Sequence, residues 1–135
     1  MRLVIDANIL MSMLISGNKR SALLDKVELF APEFLLGEIW KHEKEIQEKS
    51  KLSIEDFRLA LEILVSKIHF IPFVEFSLFI QKAEDACPDP DDVEYFAVAL
   101  AFSCPLWSND QRLKSQSEVK VLSNSELLQL LSTRN

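Results

Sequence analysis

Apolar residues follow two rhythms along this chain. Five short runs, Leu3–Ile5, Glu28–Ala31, Ile68–Ile71, Leu106–Trp107 and Val119–Leu122, are strand-length and carry β-forming side chains. Between them apolar positions recur at helical spacing, as in Phe57, Leu61, Leu64 and Val65, or Val93, Phe96, Ala97, Leu100 and Ala101. Residues 33–49 read as one long helix that becomes strongly charged towards its end, and residues 77–86 as another. Strands alternating with helices predict an α/β fold: three layers, α/β/α, around a parallel sheet of roughly five strands.

Helix starts are marked by capping chemistry. Ser53-Ile54-Glu55-Asp56 puts a serine at N-cap and an acid at N3, with Leu52 and Phe57 placed as a hydrophobic staple. Ser123-Asn124-Ser125-Glu126 repeats that logic and opens a terminal helix carrying Leu127, Leu128, Leu130 and Leu131. Asp89-Pro90 predicts a third start. Proline suits the first helical position and forces its predecessor into the extended region, making Asp89 the N-cap and placing Asp92 at N3.

Composition narrows the class. A chain of 135 residues, 48% hydrophobic and 27% charged, is expected to fold as a single domain spanning residues 1–135. Two glycines leave no Gly-rich phosphate loop, and no apolar run approaches the roughly 20 residues of a membrane helix. The chain opens on a strand rather than a leader pattern, and its two cysteines have no metal-ligand spacing, so a reducing cytoplasmic location is expected. The net charge of −6 argues against strong nonspecific nucleic-acid binding, although basic residues group at Lys19-Arg20, Lys41 to Lys51 and Arg112 to Lys114.

Four acids stand at turning points: Asp6, Glu38, Asp92 and Asp110. Each has a plain structural reading. Asp6 suits a turn after a strand. Glu38 lies at the edge of a helical stripe formed by Leu35, Leu36, Ile39 and Ile46. Asp92, like Asp89 and Asp91, complements a helix dipole, and Asp110 suits a loop or N-cap. Three acids exceed what one cap requires, however, and the four positions fall at successive strand-to-helix junctions, where sheet-edge sites collect. Converging carboxylates would hold a hard divalent cation. Gly37, which costs about 1 kcal/mol against alanine inside a helix, predicts close approach of another segment beside Glu38.

These segments resemble a known family. Leu3-Val4-Ile5-Asp6-Ala7-Asn8-Ile9-Leu10 is similar to the opening motif of PIN domains, and Leu35-Leu36-Gly37-Glu38-Ile39 to their second acidic motif. Asp89-Pro90-Asp91-Asp92-Val93-Glu94-Tyr95-Phe96-Ala97-Val98-Ala99-Leu100 resembles the third, and Leu106-Trp107-Ser108-Asn109-Asp110 the fourth. The resemblance implies a Mg²⁺- or Mn²⁺-dependent ribonuclease acting on single-stranded RNA. It also brings in the VapC-type toxins, which pair with an antitoxin protein and form homodimers. By position it assigns Asp6, Glu38, Asp92 and Asp110 as metal-binding and catalytic. Asn8, Ser108 and Asp91 are expected as supporting neighbours, and Lys41 and Lys44, one helical turn beyond Glu38, as substrate contacts. The rival of another class is a noncatalytic PIN-like module that binds RNA or protein. Phosphotransfer on Asp6 fits poorly: a haloacid-dehalogenase-like enzyme would carry a second aspartate where Asn8 stands.

Overall fold

Leu3, Val4 and Ile5 are all fully buried, as a strand covered on both faces requires. The computed structural model describes residues 1–16 and 21–133. In it β1 (Arg2–Ile5), β2 (Glu28–Pro32), β3 (Ile68–Ile71), β4 (Leu106–Trp107) and β5 (Val121–Leu122) form one parallel sheet in the order β3-β2-β1-β4-β5. The connecting helices are α1 (Ala7–Ser16), α2 (Ser21–Leu24), α3 (Phe34–Lys41), α4 (Glu43–Ser50), α5 (Ile54–Ser66), α6 (Ile80–Ala86) and α7 (Val93–Phe102). A final helix, α8 (Asn124–Ser132), comes after β5.

The strand order reverses at β1. The chain runs outward through β2 and β3, then crosses back to lay β4 and β5 on the other side. Right-handed crossovers therefore put α1, α4 and α5 on one face and α6 and α7 on the other. The packing agrees: α4 meets α1 and α5, while α6 meets α7. Ile5 pairs with Trp107, so Asp6 and Ser108 leave neighbouring strands at the same level. They do so where the connections diverge, which is where open α/β sheets form a crevice.

Several expectations hold in detail. Ser53 Oγ accepts from the Asp56 amide, and Ser123 and Glu126 form a reciprocal capping box. Asp89 accepts from the Asp91 amide with Pro90 at the first position, but the turn it opens, Pro90–Asp92, is 3₁₀. Asp92 is therefore the N-cap of α7 rather than an N3 residue. The expected helix at 77–86 likewise begins with a 3₁₀ turn, Ser77–Phe79, before α6. β5 covers only the last two residues of the expected 119–122 strand.

Two further expectations fail. Residues 33–49 are two helices, α3 and α4, broken at His42, whose backbone leaves the helical region at φ −107° and ψ 9°. The second half carries one buried residue, Ile46, so packing on α1 and α5 sets its direction, not helix propensity. Gly37 is exposed, and a methyl group added there would meet open space, so no close approach among the described residues explains it. Lys19 and Arg20 lie outside the described residues.

Candidate metal centre

Asp6 does two jobs. Its Oδ1 accepts from the Ile9 amide at 2.9 Å, which caps α1. Only 4% of the residue is exposed, and burial pushes its carboxyl above the ordinary value, against hydrogen bonds from Ser108 and Ile9 that lower it. The Ser108 hydroxyl, itself buried, donates to Asp6 and accepts from the Asp110 amide at 3.2 Å. One serine thus ties the end of β1 to the loop after β4.

Above this floor, carboxylate oxygens of Asp89, Asp92 and Asp110 lie within 4.8 Å of one another. The spacing and the hard oxygen donors fit a divalent cation held partly through water. Burial, then the charges of Asp6, Asp89, Asp110 and Asp91, push Asp92 up to about 6. Asp110 goes the other way. Hydrogen bonds from Arg112 hold it below the usual carboxylate range.

These groups line a cleft of about 400 Å³ with Asn8, Phe34, Glu38, Lys41, Asp91, Tyr95 and Arg112. Glu38 reaches it from α3 but is not one of the clustered ligands; its Oε2 lies 3.9 Å from His42 Nε2. Asp6 lies beside the cleft wall, its charge felt by Asp92 and by Tyr95. Asn8 is exposed on the rim. Lys44 is not in the cleft. It lines a separate groove with Glu43, Gln47, Ile54, Phe57 and Arg58, because the chain turns at His42, before α4.

Three residues take places in the site that the sequence pattern does not assign to them. Asp89 reads as a cap, and it is one, yet its side chain also joins the cluster. The surplus of acids at 89–92 is the one signal that points to it. Arg112 reads as one of a basic group but contacts both Asp110 and Asp89. Tyr95 falls in the apolar stripe of α7, and its buried hydroxyl has no hydrogen-bond partner among the described residues.

Comparisons with known proteins bear on the fold and the family. No curated protein matches this chain in sequence. The crystal structure of VapBC2 from Rickettsia felis, bound to a DNA fragment from their promoter, is similar in fold. It superposes with a TM-score of 0.68 at 15% identity, covering 91% of this chain and 98% of that one. A PIN domain family model matches residues 4–132, nearly the whole sheet and its helices, and the chain therefore belongs to the PIN domain family.

Proposed function

We propose that this protein is a divalent-metal-dependent endoribonuclease that hydrolyses single-stranded RNA. The observation that carries the reading is the Asp89, Asp92 and Asp110 cluster, set at the sheet's switch point beside buried Asp6. Asp6, Asp92 and Asp110 would hold the cation, Asp6 from the floor of the site, with Asp89 as a further ligand. A bound Mg²⁺ or Mn²⁺ would supply Lewis-acid polarisation of the phosphate and ease ionisation of water.

The chain's own residues do the rest. Ser108 fixes Asp6 against the Asp110 loop by two hydrogen bonds. Glu38 enters the cleft from α3, free of the cluster, and orients the attacking water as its proton acceptor. Lys41, the other cation of the cleft besides Arg112 among the described residues, meets the RNA backbone; Lys44 lies too far round. The cleft shares Ala7, Asn8 and Glu38 with a groove between α1 and α4, which gives a strand room to continue.

The fold shared with VapBC2 and the resemblance to VapC-type toxins support a toxin role, with an antitoxin partner and a homodimer. Residues 1–135 then act as one nuclease domain in the cytoplasm. Among the described residues no helix is long and apolar enough to cross a membrane.

One observation favours a second reading. Arg112 already pairs with two of the three clustered carboxylates, as in a noncatalytic module that has replaced its metal with an internal cation. Purified protein incubated with a varied RNA pool separates the two. Cleavage that requires Mn²⁺, stops with chelator and is lost in Asp92→Asn supports the nuclease. An RNA pool left intact by wild type supports the module.

A further inference from the structure

The guanidinium of Arg112 lies on the candidate metal ligands. Nη2 donates to Asp110 Oδ2 at 2.8 Å and to Asp89 Oδ2 at 3.3 Å, while Nε donates to Asp110 Oδ1 at 3.1 Å. Two of the three carboxylates that could bind a cation are therefore engaged. The side chain is 73% exposed, on a short 3₁₀ turn, Gln111–Ser115, so it can swing without disturbing the core. Exposed ion pairs of this kind are weak and readily exchanged.

Charge explains why the arrangement must change on loading. Among the described residues, five carboxylates and two cations, Lys41 and Arg112, line the cleft. A phosphodiester entering it meets net negative charge unless a cation neutralises the acids. A divalent ion held by Asp89 and Asp110 would compete with Arg112 for those carboxylates and would repel the guanidinium. Arg112 is then a planar fork beside the place where the phosphate must sit, and such forks match phosphate oxygens in pairs.

We infer that Arg112 is the phosphate-binding residue of this cleft, parked on Asp110 and Asp89 until a divalent ion claims those carboxylates. The inference rests on the nuclease reading and adds to it a substrate contact and an internal competitor for the metal. A residue that only pins the loop after β4 would have neither effect.

Two measurements on Arg112→Gln and Arg112→Lys test it. Calorimetry with MnCl₂ alone, without RNA, should show Arg112→Gln binding about threefold or more tighter than wild type, the scale of losing one exposed competing pair. Arg112→Lys should fall between them, since it keeps the charge and loses the fork. With saturating Mn²⁺ and a single-stranded RNA oligonucleotide, KM should rise about tenfold in Arg112→Gln, as expected for a lost charge-assisted contact, with kcat changed far less. Lysine should restore part of that loss. Either constant remaining at its wild-type value in Arg112→Gln overturns the inference. Wild type binding no Mn²⁺ would instead remove the metal reading, and the role of Arg112 with it.

Discussion

Asp6 and Asp110 leave neighbouring strands at the same end of the sheet, share Ser108, and meet opposite fates. Asp6 is buried, and desolvation pushes its carboxyl up. Asp110 is open to an arginine that pulls its carboxyl down. The difference lies in the segment after each strand. Past β1 the chain enters α1 at once, packing Ile9, Leu10, Met13 and Leu14 into the core and closing over Asp6. Past β4 it makes an open 3₁₀ turn with only Leu113 buried, which leaves Arg112 free to reach back. The floor of the site is built by burial and its rim by charge. Burial keeps a carboxylate in place whatever its protonation; charge pairing can be exchanged for a metal.

The largest effect expected is on cleavage, and it separates clustered from unclustered acids. Asp92→Asn removes one member of the triad and should lower Mn²⁺-dependent RNA cleavage by about 100-fold or more, the scale of losing one charge-stabilising group in an active site. Asp91 lines the same cleft outside the triad, so Asp91→Asn should cost much less. Rates measured side by side on one oligonucleotide decide it, and the reverse ranking would place the centre on the wrong residues.

Metal binding should come next in size. An ion that binds only the folded state at 100 times its dissociation constant stabilises it by about 2.7 kcal/mol. Thermal melts should show this as a rise in Tm with Mn²⁺ that is absent in Asp92→Asn. The rise should fade as pH drops through about 6, where Asp92 takes up its proton in the folded protein. A Tm rise undiminished at pH 5 would mean that Asp92 is not a ligand.

The opposite fates of Asp6 and Asp110 predict opposite signs in the metal-free protein. Asp6 has a raised folded pKa, so the folded state holds its proton longer than the unfolded state, and ionisation costs stability as pH rises above the unfolded value near 3.8. Asp6→Asn keeps the cap on α1, because asparagine caps as well as aspartate, and should raise Tm at pH 7 but not at pH 3. Asp110 has a lowered folded pKa, so its contribution is present above 3.8 and lost as pH falls through the folded value. Asp110→Asn should lower Tm at pH 7 by the equivalent of less than about 1 kcal/mol, since Arg112, its partner, is largely exposed. Melts of both variants that move in the same direction would dissolve the contrast between floor and rim.

The acids of floor and rim were legible in the sequence, but the pairing of the rim with Arg112 was not, for one physical reason. Burial leaves a local signature: Leu3-Val4-Ile5 before Asp6 and Leu106-Trp107 before Ser108 mark strand ends that any parallel sheet would align. The caps at Ser53, Asp89 and Ser123 are local as well, each closing within three residues. The rim depends on convergence across long separations. Asp89 reaches Arg112 across 23 positions, and neither residue has a neighbour in sequence that announces the contact. The break at His42 belongs to the same class. Charged residues continue the helical pattern through it, and only tertiary packing of Ile46 reveals that α4 points elsewhere. That break also removes Lys44 from the cleft while leaving Lys41 in it.

Gly37 tests the remaining wall of the site and carries the smallest effect. It lies inside α3 immediately before Glu38, exposed, with nothing within 4 Å of where a Cβ would stand. Alanine there loses no space and restricts the unfolded chain, so Gly37→Ala should stabilise the protein by about 0.5–1 kcal/mol, read as a higher urea midpoint at unchanged slope. The gain should be independent of pH and of Mn²⁺, unlike every change at the floor or the rim. Titrating RNA onto the same variant then asks why a helix would keep a glycine that its own fold does not need. Stability gained with RNA binding intact makes position 37 a bystander and leaves Phe34, Glu38 and Lys41 as the reach of α3 into the cleft. Stability gained with RNA binding lost means that the strand passes over α3 close enough to exclude a methyl group, which would extend the substrate path from the charged rim onto the helix that carries Glu38.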